Sequence, residues 1–300
     1  MFCYTFFHMS TKDTVLIIPP NDPEAVMIFM LAKAMGLSVI ESLQPHGASL
    51  DKEKNMGKKI RSGGWKNIVI VEMPGPRTES QLRRMGVEVV IIDHHHYDHL
   101  DRAHDPKTKK LLPSSLEQFL KRFRIDDKKM CRLGFEPKFV RGIGIMDRGF
   151  VWALREEGYK ESDMYRVLAY RQELMRPYLN QKTEAQKERI TKEVWKQRTE
   201  WNGFTIVIGR GKTELRPRLS LLIALKVKKP IPLILFERGR GLVYVQESPY
   251  ALALFRKFGG FTFGMDRNWG YQNTPGVSKV TLVDIKRFLK KEIEKKAKKT

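Results

Sequence analysis

The sequence predicts an α/β protein with an N-terminal parallel sheet covered by helices on both faces, a helical connector, and a smaller C-terminal α/β domain. Three observations carry this. Short continuous apolar runs alternate with helical patterns through the first half, which is how strands buried on both faces read. Residues 152–200 then turn charged and helical, and apolar strand runs return after Gly203. At 300 residues the chain suits two domains of about 100–200 residues each, and a hydrophobic content of 41% is enough to fill two cores.

The elements follow in order. TVLII (14–18) is a strand, and EAVMIFMLAKAMG (24–36) is a helix that Gly36 stops. LSVIESL is a second strand, WKNIVIVEM (65–73) a third and VEVVIID (87–93) a fourth, with a short helix ESQLRRMG (79–86) between the last two. SSLEQFLKRF (114–123) is a helix, with Ser114 three residues before Glu117 as a capping signal. The connector breaks once, at Pro177. Beyond it FTIVIG, PIPLILFE and GLVYVQ are strands, and RLSLLIALKV and YALALFRKFG are helices. The divisions expected are 10–150, 151–202, 203–285 and a basic tail, 286–300, that frays. The opening MFCYTFFHM reads as a loose leader or an upstream start before Met9, since it lacks the basic region and cleavage pattern of a signal peptide.

The chain carries 56 Lys+Arg against 34 Asp+Glu, a formal charge of +22. A surplus of that size points to a polyanion, because cationic surface displaces counterions from phosphates. A charge-rich, heat-stable surface is the alternative, although ion-pair networks need closer parity of sign. Two cysteines, Cys3 and Cys131, form neither a metal pair nor a disulfide framework, which suggests a reducing cytoplasm. No apolar run reaches the roughly 18 residues of a membrane span, so no membrane is expected.

Chemistry in a parallel sheet sits beyond the carboxyl ends of its strands, and here those ends are acidic. The first strand runs out into PPNDPE, with Asp22 and Glu24. The third ends at Glu72. The fourth ends in IIDHHHYDH (91–99), with Asp93 followed by His94, His95 and His96. GIGIMDRG adds Asp147 between Gly144 and Gly149. Carboxylates gathered this way repel and need a counter-charge. Mixed carboxylate and imidazole ligands suit Mn²⁺ better than zinc, and two such ions can clamp a phosphoryl transfer. Each acid alone also reads as a helix N-cap or loop ion pair, Asp22 above all. Neighbours on an extended chain point to opposite sides, so His96 and His99 read equally as structural.

IIDHHHYDH, in order with Asp22 and Glu24, Glu72 and Asp147, resembles the signature of the DHH phosphoesterase superfamily, which includes RecJ-type exonucleases, oligoribonucleases, cyclic-dinucleotide phosphodiesterases and an inorganic pyrophosphatase class. The resemblance covers most of the chain and implies a DHH domain followed by a DHHA1-like domain over about 203–280. It implies a first Mn²⁺ on Asp22 and Glu72, and a second on Glu24, Glu72, His94 and Asp147, with Glu72 bridging. By the same resemblance Asp93 orients the histidines and His95 touches the scissile phosphate. Mn²⁺ or Mg²⁺, as one or two ions, is the cofactor implied.

The pattern is broken in places. Ile18 and Pro20 stand where the family's first ligand would be, and Glu24 and Glu72 stand where Asp is usual. FGGFT (258–262) keeps Gly259 and Gly260 but lacks the histidine of the family's Gly-Gly-Gly-His motif, and VQES offers Gln246 in place of a basic residue. One reading is therefore a RecJ-like exonuclease on single-stranded DNA or RNA with a weakened metal centre. Arg210, Lys212, Arg238, Arg240, Arg256 and Lys257 would line its phosphate track, Gly239, Gly241, Gly259 and Gly260 would allow close approach, and Trp269 and Tyr271 would be loop platforms for bases. The alternative is a catalytically inactive relative that binds nucleic acid or scaffolds a replication or repair protein complex. A plain single-strand-binding module is a third. Self-association into a homo-oligomer is compatible with each.

Overall fold

The structure is a computed structural model that describes residues 11–45, 47–94, 113–276 and 279–298. The opening stretch, His95, His96 and His99 lie outside the described residues. Two compact units divide the chain. The first runs through His94 and takes up Pro113–Asp147 and Glu157–Tyr178. The second holds Arg148–Glu156 and the residues from Leu179 onward.

The first unit is built on four parallel strands, β1 (Thr14–Ile18), β2 (Ser38–Glu41), β3 (Asn67–Val71) and β4 (Glu88–Ile92), in the order β2-β1-β3-β4. Alternation sends Val15, Ile17, Ile68 and Ile70 to one face. There they pack with Met56 and Ile60 of α2 (Met56–Gly63) and Leu82 of α3 (Pro76–Arg84). Leu16, Ile18, Val69 and Val71, equally buried, face the other side. α1 (Pro23–Ala34) covers that side, with α4 (Ser115–Arg122) and α7 (Glu161–Met175) packed against it. Each fully buried Ile or Leu contributes about 1.5–3 kcal/mol, so the central strands anchor the unit. α5 (Asp127–Arg132) and the first part of α6 (Pro137–Glu156) complete it.

Chain order makes the sheet change direction. From β1 the chain goes to β2 on one side and then to β3 on the other. The loops leaving β1 and β3 therefore part in opposite directions and leave a crevice beyond the strand ends, where α/β sheets hold ligands.

The second unit contains α8 (Gln181–Lys196) and a mixed six-stranded sheet in the order β5-β6-β7-β8-β10-β9. Its strands are β5 (Thr199–Trp201), β6 (Phe204–Gly209), β7 (Leu233–Glu237), β8 (Leu242–Gln246), β9 (Phe261–Phe263) and β10 (Asn268–Gln272). Of the described pairs in this sheet only β6 and β7 run parallel, joined through α9 (Arg216–Lys226). One face packs Ile206, Ile234, Val243 and Trp269 against Leu254 of α10 (Ala251–Phe258) and Ile285 and Leu289 of α11 (Leu282–Ala297).

Three expectations differ from this. The stretch expected as one connector belongs to both units: α7 buries Met164, Val167 and Leu168 in the first, while α8 belongs to the second, and the chain turns between them at Arg176–Tyr178 around Pro177. The tail expected to fray from 286 is the body of α11, which starts at a capping box of Thr281 and Asp284 and buries Ile285 and Leu289 on one face. Trp269 is no loop platform. It lies in β10 with no exposed surface, stacks on Tyr271, and donates its ring N–H to the Gly259 carbonyl at 2.8 Å. No helix among the described residues is long and apolar enough to cross a membrane.

Candidate metal centre

Four side chains meet at the crevice between β1 and β3. Glu24 comes from the first turn of α1 and is fully buried. Glu72 follows β3 directly, His94 lies two residues beyond β4, and Asp147 sits in α6. One ligand atom from each lies within 4.8 Å of all the others. The His94 Nε2 stands 2.8 Å from Asp147 Oδ2, 3.5 Å from Glu72 Oε1 and 3.7 Å from Glu24 Oε2. Only the first is a hydrogen-bond distance; the other two are charge contacts.

The backbone explains the convergence. Glu72 adopts a left-handed conformation, φ +51°, while its N–H still bonds the Ile92 carbonyl at 3.0 Å. The strand thus stays paired to its last residue, and the chain then turns sharply. Such a conformation costs a non-glycine residue about 1–3 kcal/mol. α6 reaches the site because Gly144 has no side chain: a Cβ there would lie 2.6 Å from Ser114 Oγ and 3.6 Å from Glu24 Oε1. Asp147 is three residues further, on the same face of the helix, and so comes over Glu24. Just past it the helix kinks at Gly149 and Phe150.

Glu24 is held from behind. Its Oε1 accepts the Leu116 N–H, at the start of α4, at 2.9 Å. Ser114, the N-cap of α4, shares a capping box with Glu117. Two helix N-termini, of α1 and α4, therefore favour its negative charge. They do not suffice: burial first, then the charges of Asp147 and Glu72, hold the Glu24 carboxyl well above the usual range. For His94 burial disfavours the cation, but the contacts with Asp147 and Glu72 and the charge of Glu24 outweigh it, and its pKa is pushed up to about 12. The imidazolium of His94 thus faces the acidic side chains of Asp147, Glu72 and Glu24.

The donor set fits a divalent cation. Glu24 Oε2 and Glu72 Oε1 are buried and accept no hydrogen bond from a described residue. A buried polar atom left without a hydrogen bond costs about 1–3 kcal/mol, and the strain at Glu72 adds to that, against a typical net stability of about 5–15 kcal/mol. Three carboxylates and one imidazole match the ligand preference of Mn²⁺, with Mg²⁺ the harder, oxygen-preferring alternative.

The other expected site residues lie as follows. Asp22 is the N-cap of α1, its Oδ1 accepting the Ala25 N–H at 2.8 Å, and it is not among the four clustered ligands. Asp93 is half-buried at the end of β4, where its carbonyl accepts the Gln118 side-chain amide at 2.9 Å. In the second unit Arg240 pairs with the buried Glu237, while Arg256 and Lys257 are exposed in the last turn of α10. Gly259 and Gly260 both have positive φ, and a Cβ on Gly260 would collide with the Gly270 carbonyl at 2.2 Å, so the packing of β9 on β10 requires that glycine. Leu116, Gln118 and Gly144 position these groups without carrying chemistry of their own, and the spacing of Gly144 to Asp147 is the one trace of this in the sequence.

No protein-family model matches the chain, and no curated protein matches it. Among solved structures the chain is similar to a RecJ exonuclease bound to manganese (14% identity, 83% of this chain and 82% of that one, TM-score 0.37). It is also similar to PggH, a pGpG-specific phosphodiesterase from Vibrio cholerae (11% identity, 94% and 98%, TM-score 0.43). A third is RecJ with Mg²⁺ from Thermus thermophilus (13% identity, TM-score 0.37), where the match spans 81% of this chain and 43% of the other. At TM-scores below 0.5 these likenesses assign neither family nor activity.

Proposed function

We propose that the chain is a metal-dependent phosphoesterase of the DHH type, a RecJ-like exonuclease that hydrolyses single-stranded DNA or RNA. The observation that carries this is the cluster of Glu24, Glu72, His94 and Asp147, with two buried carboxylate oxygens that no described donor satisfies. These four residues would hold one Mn²⁺ or Mg²⁺. When bound, the ion supplies Lewis-acid chemistry toward a phosphoryl oxygen and toward water. The chain's own part is to hold the ligands. The Leu116 N–H fixes Glu24, the turn at Glu72 sets where that carboxylate leaves β3, and His94, to serve as a ligand, would have to be neutral. Asp93 and His95 are proposed to orient the ligands and to touch the scissile phosphate. A polymer is favoured over a small phosphate ester by the net charge of +22, with Arg256 and Lys257 as backbone contacts.

The described residues gather one set of four ligands, and this supports one ion over two. The same observation supports the second reading, an inactive relative that binds nucleic acid or scaffolds a replication or repair complex. Incubation with Mn²⁺ and end-labelled single strands, beside Asp93→Ala and Glu72→Ala, separates the two. Cleavage that both substitutions abolish establishes the enzyme. Tight binding without cleavage establishes the scaffold, and cleavage indifferent to both is a contaminant.

A further inference from the structure

The second unit has a cavity of its own at the carboxyl end of β6. It measures about 230 Å³, below the roughly 300–1,000 Å³ of sites that enclose a drug-sized ligand, a size suited to one ring system rather than a whole nucleotide. Its walls are apolar, with Ile190 and Val194 from α8 and Ile208 and Leu215 from β6 and the approach to α9. Gln197 and Thr213 are polar at its edge, and neither side chain bonds another described residue.

At its mouth lies the loop Gly209-Arg210-Gly211-Lys212-Thr213, between the first strand and the helix of the β6–α9–β7 crossover. The N–H groups of Gly211, Lys212 and Thr213 donate to no described acceptor, backbone or side chain. Arg210, Lys212 and Arg238 form no ion pair among the described residues, whereas the nearby acid Glu214 is met by Lys187 and Arg240. Glycines shape the mouth: a Cβ on Gly209 would strike Leu215 at 2.3 Å, and one on Gly239 would strike the Gly211 carbonyl at 2.4 Å. The backbones of the loops after β6 and β7 are thereby brought into contact.

The N-terminus of α9 is not the anion site, because the Glu237 carboxylate already accepts from Leu215 N–H at 2.7 Å and Arg216 N–H at 2.9 Å. An anion here meets the loop itself. From a mostly apolar slot for one ring system, the polar Gln197 and Thr213 in its wall, and Arg210 with the free N–H groups of the 211–213 loop at its mouth, we infer that this is a binding site for a nucleoside monophosphate unit, base inside and phosphate on the 210–212 loop. The unit is either a free nucleotide or the phosphorylated end of a strand. Its residues belong to the second unit, and those of the metal cluster to the first.

The test is equilibrium binding by the full chain in chelator, where no cleavage competes, with a fluorescent nucleoside monophosphate displaced by unlabelled ligands. The unlabelled monophosphate should displace it at least about tenfold better than the nucleoside or inorganic phosphate alone. Val194→Trp, which fills the slot, should abolish binding. Arg210→Glu with Lys212→Glu, on the exposed loop, should do the same and does not depend on tolerance of the core change. Glu24→Gln should leave binding unchanged, so failure here is distinguishable from failure of the metal centre. Displacement by a 5′- or 3′-phosphorylated oligonucleotide, but not by its hydroxyl counterpart, identifies the strand end as the source; displacement by the mononucleotide alone identifies the free nucleotide. Binding absent at millimolar ligand, equal for inorganic phosphate, or untouched by the loop variant overturns the proposal.

Discussion

Glu24 in the first unit and Glu237 in the second are both fully buried, and both accept hydrogen bonds from the start of a neighbouring helix. Their second oxygens differ. Glu237 Oε2 meets the Arg240 guanidinium, and the group is closed on itself. Glu24 Oε2 faces His94 at 3.7 Å, with Glu72 and Asp147 beyond it. One carboxylate is saturated and fastens a loop to a helix; the other is held from behind and left open in front. Burial alone does not mark a functional acid. What marks it is the direction in which its bonding capacity remains unfilled.

The contrast can be broken most sharply at Glu24. Glu24→Gln should lower Mn²⁺ affinity and strand cleavage by more than the roughly 10–100-fold typical of outer-sphere changes, while the metal-free protein melts no lower than the parent. Calorimetric titration and a thermal scan in chelator read both. Glu237→Ala should do the reverse: it strips acceptors from two N–H groups and a partner from Arg240, and should destabilise the fold by about 3 kcal/mol with metal affinity intact. A denaturant midpoint that does not move would remove the distinction.

Acidity sharpens it further. Folded His94 and Glu24 both titrate above their unfolded values, so the metal-free native state binds more protons than the unfolded chain. Stability from both groups is present at low pH. It is lost as pH rises, from about 4.5 for Glu24 and from about 6.5 toward 12 for His94. Metal binding expels those protons, so Mn²⁺ affinity should rise with pH. Enthalpies measured in two buffers of different ionisation heat should reveal proton release, and its absence would contradict the charge state deduced for the centre.

Smaller effects follow. Gly144→Ala pushes α6 off Ser114 and should weaken metal binding several-fold with little change in helix content. Arg256→Ala and Lys257→Ala, on exposed positions, should each reduce the salt slope of strand binding by about one and leave melting unchanged. Slopes identical to the parent would exclude α10 from the strand path.

The first unit was the more legible half, for physical reasons. β1, β3 and β4 are continuous apolar runs with an acid at the end, and Ser114 with Glu117 spells a cap in four letters. Asp22 is ambiguous because Asp before Pro-Glu at a helix start serves equally as cap and as ligand; its Oδ1 accepts the Ala25 N–H at 2.8 Å, and a carboxylate that caps through one oxygen can still ligate through the other. β10 was hidden because Gly270, which reads as a loop residue, is there to admit the Phe261 ring: a Cβ would lie 2.4 Å from it. Glycines in GIGIMDRG similarly disguised α6. In both cases a residue chosen for close packing carried the appearance of a turn.

The reversal of strand order has a kinetic consequence. Residues 24, 72, 94 and 147 are far apart along the chain, and no local hairpin or helix pair contains more than one of them. The cation pocket is thus among the last features of the first unit to form, and its closure costs the entropy of long loops. Metal uptake during refolding would lag behind the return of helical signal, and an ion added early would find only scattered, weak sites.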